Sequence, residues 1–269
     1  MDRREQEVVD ALLEAYREGA FPMVDPRTGR MEWFSPDPRA LMPLEPDTRR
    51  DAPVRRSAPR RSARIPRFHV SRSLDARIRS KRFTVTTDTA FDMVVRSCAE
   101  ARPGRRESWI DDRIIWAYAA LHRAGHAHSV EAWLPAGERE HHAAAARGHR
   151  DATPVLSSDG LRVLVGGVYG VSIGAAFFAE SMFCRPELGN VTRRDGLPVR
   201  LPGTDASKVS LVYLVAHLRN RGYTLMDVQL RNPHTDQFGV FEVPRKEYLR
   251  RLRDACDRPM QWTPFDPAY

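Results

Sequence analysis

Three polar side chains interrupt apolar stretches of the sequence, and two of them are carboxyl groups of the kind that acid–base chemistry uses. Asp227 and Gln229 belong to the run Thr224–Leu230, and Glu180 belongs to the run Phe177–Phe183. If Thr224–Leu230 is a strand, period-two alternation places Asp227 and Gln229 on one face. A buried carboxylate must be paired or hydrogen-bonded, so two carboxylates lining one pocket would favour a cationic ligand such as an ammonium group.

The same polar pattern has a second explanation, in which the strand face simply meets water. Antiparallel sheets often have one solvated face, and a solvated strand shows the same alternation. Glu180 at a water-facing edge would likewise need no partner. Alternation alone therefore leaves a pocket and a solvated face open.

Several histidines superficially resemble a set of metal ligands. They are His122, His126 and His128, with Glu131 close by. His122 is predicted on a helix, whereas the other two follow Gly125 into a strand, and neither an HExxH motif nor a paired-cysteine spacing accompanies them. We therefore expect no metal and no cofactor.

Motifs for covalent or phosphate chemistry are absent from the sequence. It contains no GxSxG and no P-loop. The run Arg219–Gly222 partly resembles the pyrophosphate loop of acetyl-CoA-dependent acyltransferases, but Thr224 stands where a glycine or alanine is expected. This run also ends a predicted helix, whereas anion sites favour helix N-termini. Gly222 is interpreted as a helix C-terminal residue.

The composition favours a globular protein of the reducing cytoplasm. With 269 residues, 42% of them hydrophobic, the chain can bury a sizeable core. The apolar stretch Leu164–Phe178 falls short of the roughly 20 residues that span a bilayer, and residues 1–20 lack the features of a secretory signal. Cys98, Cys184 and Cys256 lie too far apart for a CxxC pair. We expect a cytoplasmic chain that does not enter a membrane.

The net charge of +8 is concentrated in one segment. Arg49–Arg82 holds 13 basic residues and two acidic ones. Such a segment can neutralise several phosphates of a nucleic acid. A solvated arginine-rich linker would have the same composition, so charge suggests RNA without identifying it.

Hydrophobic periodicity predicts mixed helices and strands. We expect helices at residues 4–19, at 88–101 with Asp88 as N-cap, at 111–124, and from Ser207 to Gly222. The strands predicted at 127–134, 164–173 and 176–181 form an antiparallel meander. Polar stretches at 135–160 and 185–204 are interpreted as surface insertions, and the domain boundary is placed near Ile65.

An ordered series of short motifs resembles the leucyl/phenylalanyl-tRNA–protein transferase family. Each motif is weak alone, but the series runs in the family's order from Tyr16 to about Leu252. The motifs are Tyr16–Pro22, Trp33–Arg39, Ser108–Ile110, Leu121–Glu131, Leu164–Gly170, Glu180–Phe183, Ala206–Lys208 and Leu225–Gln229.

The resemblance implies an α+β fold with two parts. A small N-terminal α/β domain with the basic linker would occupy residues 1–64. A domain with the architecture of the GCN5-related acetyltransferases (GNAT) would occupy residues 65–269, with a mostly antiparallel sheet flanked by helices and insertions at 135–160 and 185–204. The expected molecule is a monomer.

The resemblance also implies a reaction and its partners. Leu or Phe, and less readily Met, would move from aminoacyl-tRNA to the α-amino group of proteins that begin with Arg or Lys, which marks them for N-degron proteolysis. The ester is already activated, so neither ATP nor a metal is needed. An RNA-binding protein without activity and an acetyl-CoA-dependent N-acetyltransferase are the alternatives. The first would not need Glu180, Asp227 and Gln229, and the second would need the missing phosphate loop.

Residue roles follow from the matched motifs. Asp227 would hold the acceptor amine as a base or only position it, Gln229 would orient it, and Glu180 would shape the electrostatics of the pocket. The resemblance places two further sets of residues in the site. The aminoacyl pocket would be lined by Phe177, Met182 and Val168, and the terminal adenosine of the tRNA would meet Tyr16, Trp109 and Met23.

One departure from the family pattern affects the adenosine site. The family commonly has Trp where this chain has Met23, so one wall of the expected stacking platform is changed. The basic segment Arg49–Arg82 would contact phosphates of the acceptor stem without reading sequence.

Overall fold

The computed structural model describes residues 1–44, 67–100, 108–145, 154–193 and 195–265, with only the backbone of residues 143–145. The helices are α1 (Arg3–Arg17), α2 (Arg72–Arg79), α3 (Phe91–Ala99), α4 (Asp112–Arg123), α5 (Glu138–Ala145), α6 (Ala206–Arg221), α7 (Pro233–Asp236) and α8 (Arg245–Cys256). The strands are β1 (Phe21–Val24), β2 (Met31–Phe34), β3 (Arg39–Met42), β4 (Thr84–Thr87), β5 (Ala127–Pro135), β6 (Arg162–Ile173), β7 (Ala176–Cys184), β8 (Leu225–Gln229) and β9 (Phe241–Val243).

Local sequence signals explain where the main helices begin and end. Asp2 and Glu5 form a capping box at the start of α1. Asp111 accepts hydrogen bonds from the first amides of α4. Gly222 takes a left-handed conformation after α6, with φ of +84°. These helices were predicted from the sequence, and the structure confirms them.

The fold is built around a seven-stranded sheet in the order β4-β5-β6-β7-β8-β3-β9. Every neighbouring pair is antiparallel except β7 and β8, which are parallel. The strands β1 and β2 form a separate antiparallel ribbon. The predicted α+β class with a mostly antiparallel sheet and the predicted β5-β6-β7 meander are confirmed, while the GNAT-like architecture stays a prediction.

Helices cover both faces of this sheet, and each face has its own hydrophobic core. One core joins buried residues of α1, α3, α4 and α8 to the first face. The other joins α6, and Leu74 of α2, to the second face. Within the described ranges, no helix combines the length and apolar character that crossing a membrane requires.

The helix predicted at 88–101 begins later than expected, and Asp88 is not its N-cap. The helix α3 starts at Phe91 after Ala90, which makes no side-chain cap. Asp88 has φ of +55° and accepts hydrogen bonds from Nδ1 of His128 and the backbone amide of Ser129. Its carboxylate is therefore used to tie the start of α3 to β5 instead of capping the helix.

The expected division into two domains falls on residues outside the described ranges and stays a prediction. The N-terminal part nevertheless reaches into the large sheet, since β3 lies between β8 and β9. The two polar segments at 135–160 and 185–204 contact each other. Glu140 accepts hydrogen bonds from the backbone amides of Gly137 and Gly189.

Candidate active site

The two parallel strands of the sheet pair over a short segment and then part, and the gap between them is called the cleft below. The pairing of β7 with β8 is confined to Ala176–Phe178, whereas β7 continues to Cys184. The segment Ala179–Met182 is consequently half-buried along a free strand edge. The predicted residues Glu180, Gln229 and Met182 all lie at this opening.

A β-bulge aims Glu180 away from the alternation of its strand. Tyr169 of β6 is opposite Ser181, and the next residue, Gly170, is opposite Ala179. Glu180 is the extra residue between them. Bulges of this kind re-aim a side chain and are frequent beside active sites, and here the bulge turns the carboxyl group toward α1 and α4.

Glu180 forms a compact cluster with two buried tyrosines. The hydroxyls of Tyr16 and Tyr118 lie 2.7 Å and 3.0 Å from its two carboxyl oxygens, and 2.5 Å from each other. If Glu180 is ionised, the two hydroxyls supply two protons for these three contacts. A protonated Glu180 supplies the third and closes a ring of three hydrogen bonds. The cluster can therefore hold a proton on Glu180 as well as a carboxylate.

The electrostatics of the cleft balance the protonated and ionised forms of Glu180. Burial raises the pKa of Glu180, the hydrogen bonds from Tyr16 and Tyr118 lower it, and the opposite charges of Asp227 and Arg39 raise and lower it in turn. The result is a pKa of about 7. Burial also raises the pKa of both tyrosines well above their usual value. Glu180 is thus a carboxyl group that gains and loses its proton near neutral pH, as acid–base catalysis requires.

Asp227 is fully buried, and its carboxylate is already occupied. Arg39, also fully buried, donates to it from Nε (2.9 Å) and Nη2 (2.7 Å). Tyr248 donates its hydroxyl at 2.6 Å, and the backbone amide of Gln229 donates at 2.8 Å. These four donors match the usual capacity of two carboxylate oxygens. The geometry supports a positioning role for Asp227 over that of a free base.

Arg39 connects this ion pair to the N-terminal part of the chain. Its Nη1 donates to the carbonyl oxygen of Gly19 at 3.0 Å, and its guanidinium lies between the rings of Phe21 and Tyr248. Gly19 has φ of +80°, and a Cβ atom there would lie 2.8 Å from the Tyr248 ring. Glycine is thus required at this position for the close approach of α1 to α8.

Gln229 ends β8 in a conformation that non-glycine residues rarely adopt. Its φ is +58°, which carries a cost on the order of 1–3 kcal/mol. The hydrogen bond from its own amide to Asp227 helps to hold this conformation, and its side chain Nε2 lies 3.4 Å from Glu180 Oε1 across the cleft. Asp227 therefore positions Gln229, and Gln229 faces Glu180.

The three residues predicted for the aminoacyl pocket lie together, on the other face of the sheet from the Glu180 cluster. Val168 and Met182 are direct cross-strand partners, and Phe177 belongs to the same core. Met182 is half-buried at the cleft, whereas Phe177 and Val168 are buried. A group that enters the cleft would therefore contact the apolar residues on one face of the sheet and the Glu180 cluster on the other.

A tryptophan near the end of the described chain packs against this apolar group. Trp262 stacks on Phe177, with ring centroids 5.8 Å apart, and on His128 at 4.4 Å. No pattern in the sequence indicates this contact, because Trp262 stands in an aperiodic segment. The Trp262 ring therefore extends the apolar surface formed by Phe177.

The residues predicted for the terminal adenosine do not form one exposed site. Trp109 and Met23 are half-buried and close in the fold, since the amide of Val24 donates to the carbonyl oxygen of Trp109. Tyr16 is fully buried, and its hydroxyl serves the Glu180 cluster. Its ring would have to be uncovered before a base could stack on it.

The histidines of the sequence analysis fall into two groups. Ligand atoms of His122, His128 and Asp88 lie within 4.8 Å of one another, and no ion is present. Nδ1 of His122 is hydrogen-bonded to the carbonyl oxygen of Ala127, and Nε2 of His128 to that of Gly125. His126 and Glu131 are not part of this group. Glu131 is instead buried, with a hydrogen bond from Thr86.

Comparison with known proteins places the chain in one family. Residues 63–139 and 201–253 match the family described as leucyl/phenylalanyl-tRNA protein transferase, and residues 9–37 match its N-terminal domain. A leucyl/phenylalanyl-tRNA–protein transferase of Gloeobacter violaceus is 36% identical over 94% of this chain and 96% of its own. Those of Chlorobaculum parvum and Akkermansia muciniphila are each 37% identical over 92% of this chain, covering 94% and 95% of their own lengths.

The matches to these relatives cover most of the chain, and the curated relatives are aminoacyltransferases by name. The fold class and the ordered motifs agree with them. The chain therefore belongs to the leucyl/phenylalanyl-tRNA–protein transferase family and is an aminoacyltransferase that transfers amino acids from tRNA to proteins.

Proposed function

We propose that the cleft between β7 and β8 transfers Leu or Phe, and less readily Met, from aminoacyl-tRNA to the α-amino group of proteins that begin with Arg or Lys. The modified proteins would be substrates of N-degron proteolysis. The observation that carries the proposal is Glu180, a carboxyl group with pKa about 7 held by two tyrosines opposite Gln229. We further propose that the enzyme acts as a cytoplasmic monomer and needs no cofactor.

The reaction requires one proton to move from the attacking nitrogen to the leaving oxygen. The neutral α-amine attacks the ester carbonyl, the C–N bond forms, and the C–O bond to the tRNA ribose breaks. Glu180 as carboxylate accepts the proton from nitrogen and, as carboxylic acid, returns it to the ribose oxygen. A group with a pKa near the working pH suits both halves of this transfer. An amino terminus has a pKa of roughly 8, so much of the catalysis lies in positioning it.

In this proposal Asp227 acts through Gln229. The pair of Asp227 with Arg39 leaves Glu180 as the acid that faces the cleft, and Glu180 would also attract the cationic N-terminal residue of the acceptor. Gln229, fixed by Asp227, would orient the amine. Tyr16 and Tyr118 would hold the proton-carrying carboxyl in place.

A transfer assay with three peptides tests the acceptor specificity. Labelled Leu-tRNA is mixed with the protein and with otherwise identical peptides that begin with Arg, Lys or Ala. We expect label on the Arg and Lys peptides only, because the cleft offers the Glu180 carboxylate to a cationic side chain. Equal labelling of the Ala peptide would contradict this acceptor assignment.

The donor pocket is proposed to lie at Val168, Phe177 and Met182. We expect Met182→Ala to change the ratio of kcat/KM for Phe-tRNA and Leu-tRNA by roughly 10- to 200-fold, since apolar pockets discriminate by about 1–3 kcal/mol per methylene. Met182 is half-buried at the cleft, so the fold should tolerate the change. Leu13→Ala, also half-buried but on α1, is the matched control. An unchanged ratio in Met182→Ala would remove this residue from the pocket.

A further inference from the structure

A second cavity lies beside the Glu180 cluster and has no part in the chemistry described above. It measures about 510 Å³ and is lined by residues of α1, α4 and the ribbon of β1 and β2. This volume is within the range of sites for small ligands. Its lining is largely apolar and includes Leu12, Met31, Trp33 and Trp116, with Arg4, Asp112 and Arg113 as charged members.

The walls of this cavity suit a flat aromatic ring. Trp33 is 52% exposed, an unusual position for a large apolar side chain. The guanidinium of Arg4 lies 5.2 Å from the centre of the Trp116 ring. Indole and guanidinium planes are the surfaces on which proteins stack the bases of single-stranded nucleic acids.

Two of the charged side chains, Arg4 and Asp112, would recognise the rest of a nucleotide. Arg4 forms no ion pair within the described residues, so it is free to meet a phosphate. The carboxylate of Asp112 is exposed in the first turn of α4. A carboxylate accepts a hydrogen bond from the N4 amino group of cytosine and repels the O4 acceptor of uracil.

The cavity is one helical turn away from the reaction site. Leu12 and Ile114 line it, and Tyr16 and Tyr118 follow them by four residues on the same two helices. Four residues correspond to about 6 Å along a helix. A molecule in the cavity and one at Glu180 would thus be close neighbours.

The ribbon separates the cavity from the position predicted for the terminal adenosine. Trp33 and its cross-strand partner Pro22 line the cavity. Met23 follows Pro22 in β1, and its side chain points to the other face of the ribbon because side chains alternate along a strand. The cavity therefore accommodates a group other than that adenosine.

We propose that this cavity binds the base of the nucleotide that precedes the terminal adenosine of aminoacyl-tRNA, the cytosine of its single-stranded 3′ end. The base stacks on Trp33 and Trp116, Asp112 accepts from its amino group, and Arg4 meets its phosphate. The inference rests on the proposed function, because it assumes that the aminoacyl ester reaches Glu180. A cationic acceptor peptide fits the cavity less well, since Asp112 shares the lining with Arg4 and Arg113.

Equilibrium binding of uncharged nucleotides tests the cavity without any transfer. By calorimetry, the wild-type protein should bind the dinucleotide CpA roughly 5- to 150-fold more tightly than adenosine monophosphate, the fold-change that stacking of one base produces. Trp33→Ala and Met31→Ala should reduce this advantage. Met93→Ala, an equally exposed methionine on α3, should preserve it. Equal binding of CpA and adenosine monophosphate to wild-type protein would overturn the proposal.

The assignment of cytosine is tested by a second pair of ligands. Wild-type protein should prefer CpA to UpA about tenfold, and Asp112→Asn should lose most of this preference because its amide nitrogen replaces an acceptor. A variant that keeps the full preference would overturn the role of Asp112.

Transfer kinetics then relate the cavity to the reaction. With leucyl-CpA or Leu-tRNA as donor, Trp33→Ala should raise KM at least fivefold with kcat unchanged, and with leucyl-adenosine it should change neither. Equal effects on all donors, or an effect on KM of the peptide alone, would overturn the proposal. If wild-type protein transfers nothing, the proposed function fails, while the binding of CpA still decides whether the cavity is a nucleotide site.

Discussion

Glu180→Gln is expected to lower kcat/KM for transfer by at least roughly 100-fold, the smaller end of what a positioned acid–base group contributes. Glutamine keeps the size and the hydrogen-bonding oxygen of the side chain but carries no exchangeable acid proton. The wild-type rate should rise as the pH passes through about 7, because the carboxylate is the form that accepts the proton. The variant should lose this limb of the pH profile and keep the one due to the acceptor amine, near pH 8.

The same substitution is expected to make the protein more stable at alkaline pH. The folded pKa of Glu180 is raised above its unfolded value of 4.5, so its protonation contributes stability that is complete below pH 4.5 and is lost as the pH rises through about 7. The loss is at most about 3 kcal/mol. Glutamine does not titrate, so the free energy of unfolding of Glu180→Gln relative to wild type should grow between pH 5 and pH 8.

A matched control is available in another buried carboxyl group of the same sheet. Glu131 is fully buried, and burial raises its pKa, but it lies on β5 away from the cleft. Glu131→Gln should keep transfer activity within a few-fold of wild type. If Glu180→Gln retained wild-type turnover, Glu180 would have no part in proton transfer.

The second large effect concerns the buried ion pair. Asp227→Ala is expected to lower the free energy of unfolding by about 3–5 kcal/mol, because it leaves Arg39 charged and unpaired in the core. It should also abolish most transfer, since Gln229 loses the acceptor for its amide. Denaturant unfolding and the peptide assay measure the two effects separately.

A double variant distinguishes folding from function at this pair. Arg39→Met with Asp227→Leu removes both charges and should recover part of the lost stability, as apolar replacements of buried pairs do. Transfer should stay low, because no carboxylate then fixes Gln229 in its left-handed conformation. Recovery of wild-type transfer in the double variant would show that the pair serves the fold alone.

The sequence contains enough information to predict that Asp227 and Gln229 share a strand face, since that follows from a period of two. It also indicates that a buried Asp227 must have a partner. It does not reveal that the partner is Arg39, which is 188 residues away in a chain with many arginines. This pairing depends on β3 lying next to β8 in the sheet, and a contact between such distant segments cannot be inferred from local sequence.

The neighbourhood of Glu180 is less predictable for a local reason. A bulge adds one residue to β7, so the side chains beyond it point to the opposite faces from those that a regular alternation predicts. Simple periodicity therefore does not predict the side of the strand on which the Glu180 carboxyl lies. Local pattern is also insufficient at Asp88. Its position in the sequence predicts a helix N-cap, but the residue takes a left-handed conformation and accepts a hydrogen bond from Ser129 of β5.

The proposed chemistry is tested most directly by a crystal structure with a leucyl-adenosine analogue in which a stable amide replaces the ester. We predict that its carbonyl group lies in the cleft between β7 and β8, within hydrogen-bonding distance of Gln229 or Glu180, and that its leucyl side chain contacts Met182. An analogue bound with its carbonyl group far from all three residues would contradict the account.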